Sequence, residues 1–420
     1  MSEGSGRVPW RDVGRSLRNP NVRRYLIGQG VSNSGKWLEQ TAELWLLLQL
    51  TGSGIAVGLH SVMLYGPILL FGAYGGVISD RVNRRHLLIA TQSLQALATG
   101  TLALFTFAGS PSVLLVYSLV LTQGLIGAVD NPLRRAFIRD IASDDEIANA
   151  VSLHATTATL ARISGPALAG FLIAGFGLGW CFLLNTVSFG AVLISLFTIE
   201  PDRMRPSEPV RRRRGQLREG LAYAWRHRDV RVTLLLAIGV SIFAWNWQIV
   251  LPVYSTVVLD GNAALFGTLV ALLSLGSLAG AIVTARKERL GERHLRRSAA
   301  ALAFALIATS LAPTMLVAII GLIGVGAAGT SFIIGSQARL QLSVDDVRAG
   351  RVLALYSVGF MGSKPLGGLY AGIVIDWIGS RAAFGIGGGA VLLFVAALMV
   401  SGRRRRRDRL GIRHGAGEET

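Results

Sequence analysis

Lys36, Glu39 and Glu43 stand at i, i+3 and i+7 in "GKWLEQTAELWLLLQL", a stretch otherwise dominated by apolar residues. If the stretch is helical, that spacing puts all three on one face, with Gln40 beside them. Two carboxylates four residues apart repel when both are ionised, so such a pair suits a group that takes up and releases a proton. Two further cations, Arg162 and Lys364, also fall inside apolar stretches. A charge in those surroundings costs roughly 3 kcal/mol unless it is paired or wet. The five groups are therefore expected to face a shared polar cavity that couples protons to a substrate. A purely structural ion-pair network is the competing reading. Within the pair, Glu43 is the expected proton carrier, with Arg162 as its partner. Glu39, nearer Lys36, is expected to stay ionised and to meet a cationic substrate. Trp37, Asn246 and Gln248 suit a large, partly aromatic ligand, although single aromatics serve packing as often. His60 and His154 fall near helix ends and are given no role.

A second constellation lies in "YGGVISDRVNRRHLL", residues 74–88. Gly76, Asp80, Arg81 and Arg84 crowd one turn between two apolar runs, and Asp130 ends a third run on the same side. Arg84 is expected to bridge Asp80 and Asp130 as a latch that holds in one state and breaks in another. The plainer alternative is that the arginines only set membrane topology.

These groups need elements to carry them. The chain has 420 residues, 51% hydrophobic and only 16% charged, against roughly 25% charged in a soluble globular protein. Apolar stretches long enough to cross a bilayer as helices occur near 25–50, 55–79, 87–109, 112–130, 148–174, 180–199, 232–255, 264–285, 297–313, 315–336, 352–377 and 382–401. The net charge of +18 could suggest nucleic acid, but 38 of the 42 lysines and arginines fall in the two tails and in alternate connections. That bias predicts both termini in the cytoplasm and excludes nucleic acid as the partner. The run "SGRRRRRDRL" reads as an anchor beside anionic membrane lipid. Residues 1–24 are too long and too charged for a cleaved leader, so the first apolar helix is expected to stay. The one cysteine, Cys181, has no partner for an internal disulfide, and neither a metal nor a cofactor is expected.

The organisation expected is a tail (1–24), a six-helix bundle (25–199), a linker (200–231) with a short amphipathic helix near 216–227, a second bundle (232–401) and a basic tail (402–420). The halves echo each other. "IASDDEIANAV" (141–151) and "LSVDDVRAGRV" (342–352) share a paired Asp, an Ala and a Val, and "GGVISDRVNRR" (75–85) has a worn counterpart in "AGAIVTARKER" (279–289). Similar offsets in the same orientation predict a parallel repeat, as in two-halved transporters.

The turn at 76–85 resembles the signature of the major facilitator superfamily, and the resemblance covers about 20–402. "GKWLEQTAELWLLLQLTGSGIAVGL" (35–59), "NPLRRAFIRDIASDDEIANAVSL" (131–153) and "ARISGPALAGFL" (161–172) resemble its branch of enterobactin and drug exporters. The last is similar to an antiporter signature, with Gly165, Pro166 and Gly170 in place as a helix-bend motif; Ala161 and Ala169 stand where glycines are usual. Val120 stands where many proton antiporters carry an arginine. The resemblance implies an all-α membrane protein of twelve transmembrane helices in two six-helix bundles. It implies a monomer in the bacterial inner membrane that exports a small molecule, such as a drug or siderophore, against proton entry. Lysophospholipid flippases and importers use the same architecture, and a non-transporting sensor or scaffold is the reading from another class.

Two enzyme motifs are refused. "GVSNSGKW" (30–37) reads G-x-x-x-x-G-K, but Trp37 replaces the magnesium-holding Ser or Thr, and no strand precedes it. "GVGAAG" (324–329) fits a dinucleotide pattern inside an apolar helix, where small residues mean close packing. No enzymatic activity is expected.

Overall fold

Short polar residues punctuate the chain. Asn19 accepts from the backbone N–H of Asn21 at 3.0 Å, with Pro20 at the first helical position. Ser53, Asn83, Ser112 and Thr314 cap later helices in the same way, each accepting from a backbone N–H of the first turn. Gly52, at φ +63°, ends the first helix in the left-handed conformation that a side chain would strain.

The computed structural model describes residues 14–204, 216–287, 290–344 and 346–415. Most of the expected N-terminal tail, the arginine-rich part of the linker and the last residues of the basic tail lie outside the described residues. The helices are α1 (Pro20–Thr51), α2 (Gly54–Arg81), α3 (Arg84–Phe107), α4 (Val113–Ile141), α5 (Ile147–Gly175), α6 (Leu178–Thr198), α7 (Gln216–Arg226), α8 (Arg228–Phe243), α9 (Trp247–Val253), α10 (Ala263–Ala285), α11 (Glu292–Ser310), α12 (Met315–Leu342), α13 (Asp346–Gly362), α14 (Lys364–Ile378) and α15 (Ser380–Gly415). Among the described residues, ten segments are long and apolar enough to cross a membrane; α8 with α9 make one of them, and α13 with α14 another. The charged helices α1 and α11 complete twelve. α7 falls where a short amphipathic helix is expected.

The helices depart from the expected boundaries at α4, at two interrupted runs and at α15, which continues fourteen residues past the expected end at 401, to Gly415. Asp130 does not end its helix: α4 runs on for eleven residues to Ile141. Asn131–Pro132 reads as a stop, yet Leu133, Phe137, Ile138 and Ile141 bury one continuous face beyond it. They pack with Tyr25 and Leu88, and the Tyr25 and Phe137 rings meet edge to face at 5.2 Å. That burial outweighs the one backbone bond the proline removes. The apolar runs 232–255 and 352–377 are each interrupted, at Ala244–Asn246 and at Ser363.

The chain divides into two compact units, Met1–Arg212 with Asp260–Ala271, and Arg213–Leu259 with Leu272–Thr420. In the first, glycines bring backbones together. A Cβ on Gly124 would sit 2.6 Å from the carbonyl of Met63, and one on Gly75 would run into the carbonyl of Ala128, so α2 and α4 touch without side chains between them. Gly35 faces Asn185 and Ser188 across the α1–α6 contact just as closely. In the second unit, Gly276, Gly280 and Gly326 join α10 to α12 in the same manner.

Candidate functional site

α1 presents Lys36, Glu39 and Glu43 on one face, and that face is turned inward: Glu39 is 3% exposed and Glu43 fully buried. A buried carboxylate needs donors for its lone pairs. Glu39 Oε1 accepts from Thr99 Oγ1 on α3 at 2.6 Å and from Gln123 Nε2 on α4 at 2.9 Å, and Glu39 Oε2 accepts from Asn185 Nδ2 on α6 at 2.6 Å. Gln123 Nε2 also donates to Glu43 Oε1 at 3.1 Å. One amide nitrogen thus spans both carboxylates, one N–H to each. The other oxygen of Glu43 lies 2.8 Å from Nε2 of His60, a buried residue on α2. The chain His60–Glu43–Gln123–Glu39 therefore runs through α2, α1 and α4.

A second cluster adjoins it. Asp130 Oδ1 accepts from Thr91 Oγ1 at 3.0 Å and Gln92 Nε2 at 2.7 Å, while Asp130 Oδ2 accepts from Arg134 Nε at 2.5 Å and lies 3.8 Å from Lys36 Nζ. Arg134 completes its fork by donating to Gln29 and, at 2.9 Å, to Gln92 Oε1. Lys36 Nζ also lies 5.8 Å over the ring of Phe189. Counted together, Lys36 and Arg134 face Glu39, Glu43 and Asp130. With all of them ionised and His60 neutral, the two clusters carry one negative charge in excess, and a single proton balances them.

The expected partners change accordingly. Glu43 is met by His60 and Gln123, not by Arg162. Lys36 pairs with Asp130 and leaves Glu39 to three uncharged donors. Arg162 is half-buried on α5 and makes no hydrogen bond or ion pair among the described residues. Gln40 and Trp37 are half-buried on α1, and the Cβ of Trp37 packs where Gly165 leaves room on α5. In the other unit Lys364 begins α14, Asn246 sits in the α8–α9 break with its Nδ2 donating to Ile242 O, and Gln248 is in the first turn of α9.

The turn at 76–85 is also rearranged. Arg84 donates to Asp140 Oδ1 at 2.6 Å and to the carbonyl of Ser79 at 3.2 Å. The expected bridge from Arg84 to Asp130 is absent, because the extension of α4 puts Asp140, more than two helical turns beyond Asp130, at the turn and leaves Asp130 inside. Gly76 is buried and Arg81 exposed; the side chain of Asp80 lies outside the described residues. Arg85 donates to the carbonyls of Leu196 and Phe197 and closes the end of α6. Gly165 and Pro166 are buried in α5; a Cβ on Gly165 would lie 2.5 Å from Trp37 Cβ and 2.9 Å from Ser34 O. Gly170 meets Gly267, both in the first unit.

Sequence reasoning missed His60, Thr99, Gln123, Asn185, Gln92 and Arg134. One signal was available: Gln92, Gln95 and Thr99 recur every three to four residues in α3, a polar stripe in an apolar helix.

The chain is similar to known proteins. The chain is 25% identical to the staphyloferrin A transporter of Staphylococcus aureus, over 84% of this chain and 89% of the relative. It is 24% identical to the enterobactin exporter EntS of Shigella flexneri, over 91% of each, and 26% identical to the multidrug efflux pump Tap of Mycolicibacterium fortuitum, over 84% and 88%. The nucleoside transporter NupG superposes with a TM-score of 0.70 at 12% identity, over 90% of this chain and 98% of that one, a likeness of fold. The family model described as transmembrane secretion effector matches residues 15–410. With twelve membrane-length helices and that match across nearly its whole length, the chain belongs to the transmembrane secretion effector family of the major facilitator superfamily: a multi-pass membrane transporter of small molecules, not an enzyme.

Proposed function

We propose that this transporter exports a small amphipathic organic molecule by alternating access, driven by protons returning through the His60–Glu43–Gln123–Glu39 chain. The relatives that export a siderophore or drugs support the direction. The observation that carries the coupling is the pair of buried carboxylates held by one amide nitrogen, with an imidazole on the far oxygen. An imidazole and a carboxylate in contact pass a proton without long movement. One proton also evens the charge of the two clusters, so uptake and release change the charge balance of the buried network by a full unit. In a membrane such a change is worth several kcal/mol, enough to bias a two-state transporter. On this reading the protein sits in the bacterial inner membrane with both termini in the cytoplasm, which the excess of arginine in the tails and alternate connections supports.

The test uses proteoliposomes with an imposed proton gradient and three dansyl probes: dansylglycine, dansylcadaverine and dansylamide. The wild type accumulates at least one of them against its gradient. Glu43→Gln still binds that probe and exchanges it downhill but no longer accumulates it. Retained uphill accumulation by Glu43→Gln sinks the coupling assignment.

A further inference from the structure

We infer that the molecule carried is an organic anion, of the carboxylate kind, met by Arg162 and Lys36. This rests on the export reading above and names its substrate class. It also reverses the expectation of a cationic substrate at Glu39.

All six oxygens of the network's three carboxylates are already taken. Those of Glu39 hold Thr99, Gln123 and Asn185; those of Glu43 hold Gln123 and His60; those of Asp130 hold Thr91, Gln92, Arg134 and Lys36. Each of the three carboxylates is at most 3% exposed. A cationic substrate would have to strip protein donors from one of them before making its first contact.

The cations are differently placed. Arg134 is fully engaged. Lys36 keeps 29% of its side chain exposed and has a single long ion pair, with Asp130 at 3.8 Å, so N–H groups remain to be filled. Arg162 has five N–H donors and no partner among the described residues, halfway along a membrane-length helix. A guanidinium there is costly unless an anion or water meets it.

The two stand at the same level. α1 and α5 run side by side in one direction: Gly30 meets Thr157, and further along Gly165 meets Ser34, Trp37 and Leu38. That register levels Lys36 with Arg162. Trp37, half-buried, follows Lys36 in α1 and packs its Cβ on Gly165, three residues after Arg162 in α5, so an apolar ring stands at the level of the two cations. The combination suits a molecule with an aromatic or apolar body and a planar oxyanion, which a guanidinium binds through two parallel N–H bonds.

The three dansyl probes share one ring system and differ in charge, so binding to the purified full-length protein isolates the charge. Dansylglycine is expected to bind the wild type best. Arg162→Gln weakens it about ten-fold or more, the loss of a charge-assisted contact, Arg162→Lys restores part of the loss, and neither changes the weak binding of dansylcadaverine. Preferential binding of dansylcadaverine overturns the inference, as does dansylglycine affinity within about two-fold of wild type in Arg162→Gln, or no binding of dansylglycine up to its solubility. The wild-type ranking of the probes decides the matter even if a variant fails to accumulate. Dansylglycine that binds as described but is never moved in proteoliposomes leaves the anion site standing and sinks the export reading instead.

Discussion

His60 Nε2 lies 2.8 Å from Glu43 Oε2, joining α2 to α1 with 4% and 0% of the two side chains exposed. No aqueous path is needed for a proton to pass between them. Glutamine at position 60 can still donate an N–H to Glu43 but cannot take up a proton. His60→Gln is therefore expected to reach the membrane at normal levels, to exchange substrate downhill at near wild-type rates, and to lose uphill accumulation by about ten-fold or more. Normal proton-driven accumulation in His60→Gln would make the imidazole a mere packing partner.

Gln123 offers a structural check on the same chain. Gln123→Leu keeps much of the volume but removes the N–H from both carboxylates, leaving Glu43 Oε1 without a donor. A buried acceptor left bare costs about 1–3 kcal/mol. The melting temperature of the purified protein should fall by several degrees. Adding Glu43→Gln removes one of the two facing charges, so the double variant should lose less than the sum of the singles. Strict additivity would mean that Gln123 does not hold the pair together.

The positions of Glu39 and Glu43 were legible because their spacing alone puts them on one face of α1. Their partners were not. Which residues of α2, α3, α4 and α6 face α1 depends on how each helix is rotated, and, the Gln92–Gln95–Thr99 stripe of α3 apart, a single uncharged Gln, Thr or Asn costs too little in an apolar stretch to announce itself. Asp130 was misplaced for another reason: Asn131–Pro132 is a local stop signal, overridden by the tertiary burial of Leu133 and Phe137. The breaks at Asn246 and Ser363 did leave marks, Asn246 with Gln248 and Lys364 with Pro365, but membrane helices tolerate isolated polar residues and prolines, so the marks alone did not place a break. The twelve-helix plan was legible because crossing a membrane constrains length and composition far more than it constrains rotation.

Glu146 allows a pH prediction outside the membrane. Burial tends to raise its pKa, but hydrogen bonds from Asn19 and Ser143 outweigh this and hold its carboxyl below the ordinary glutamate range. Nearby, Arg15 pairs with Asp145, whose carboxyl is lowered chiefly by the Ser143 hydroxyl. For a depressed carboxylate the stabilisation is present above the unfolded pKa and is lost as pH falls through the folded one. The contact between residues 15–19 and the α4–α5 turn should thus loosen only under acid conditions. A fluorophore at Arg18 should gain mobility below that range in the wild type, and already at neutral pH in Glu146→Gln. Unchanged mobility in Glu146→Gln would remove the carboxylate from the clamp.

Orientation is open to cysteine labelling in a Cys181→Ser background. Ser110 and Asn262 lie at helix junctions on the side opposite the basic connections, while Gly52 and Gly177 on that same side sit at positive φ and would be strained by a cysteine. Ser110→Cys and Asn262→Cys should react with an impermeant thiol reagent on intact cells, and Asp144→Cys and Arg203→Cys should react only after lysis. The reverse pattern would invert the topology.

Arg84 and Asp140 form the ion pair at the α2–α3 turn, at 2.6 Å with 11% and 4% of their side chains exposed. The turn and Asp130 therefore belong to separate networks, one built on Asp140 and the other on Arg134. A double-mutant cycle separates them. Arg84→Gln and Asp140→Asn each remove one partner of a mostly buried pair, so each should destabilise the protein, and the two together should cost less than their sum by about 0.5–3 kcal/mol. Arg84→Gln combined with Asp130→Asn should instead be additive within about 0.5 kcal/mol, because no partner is shared. If the turn is a latch, transport separates it further: Arg84→Gln and Asp140→Asn should shift the balance of conformations and slow turnover, while Asp130→Asn should act by leaving Arg134 and Lys36 short of a counter-charge. Coupling between Arg84 and Asp130 as strong as that between Arg84 and Asp140 would show that the two networks act as one, and would restore the bridge read from the sequence.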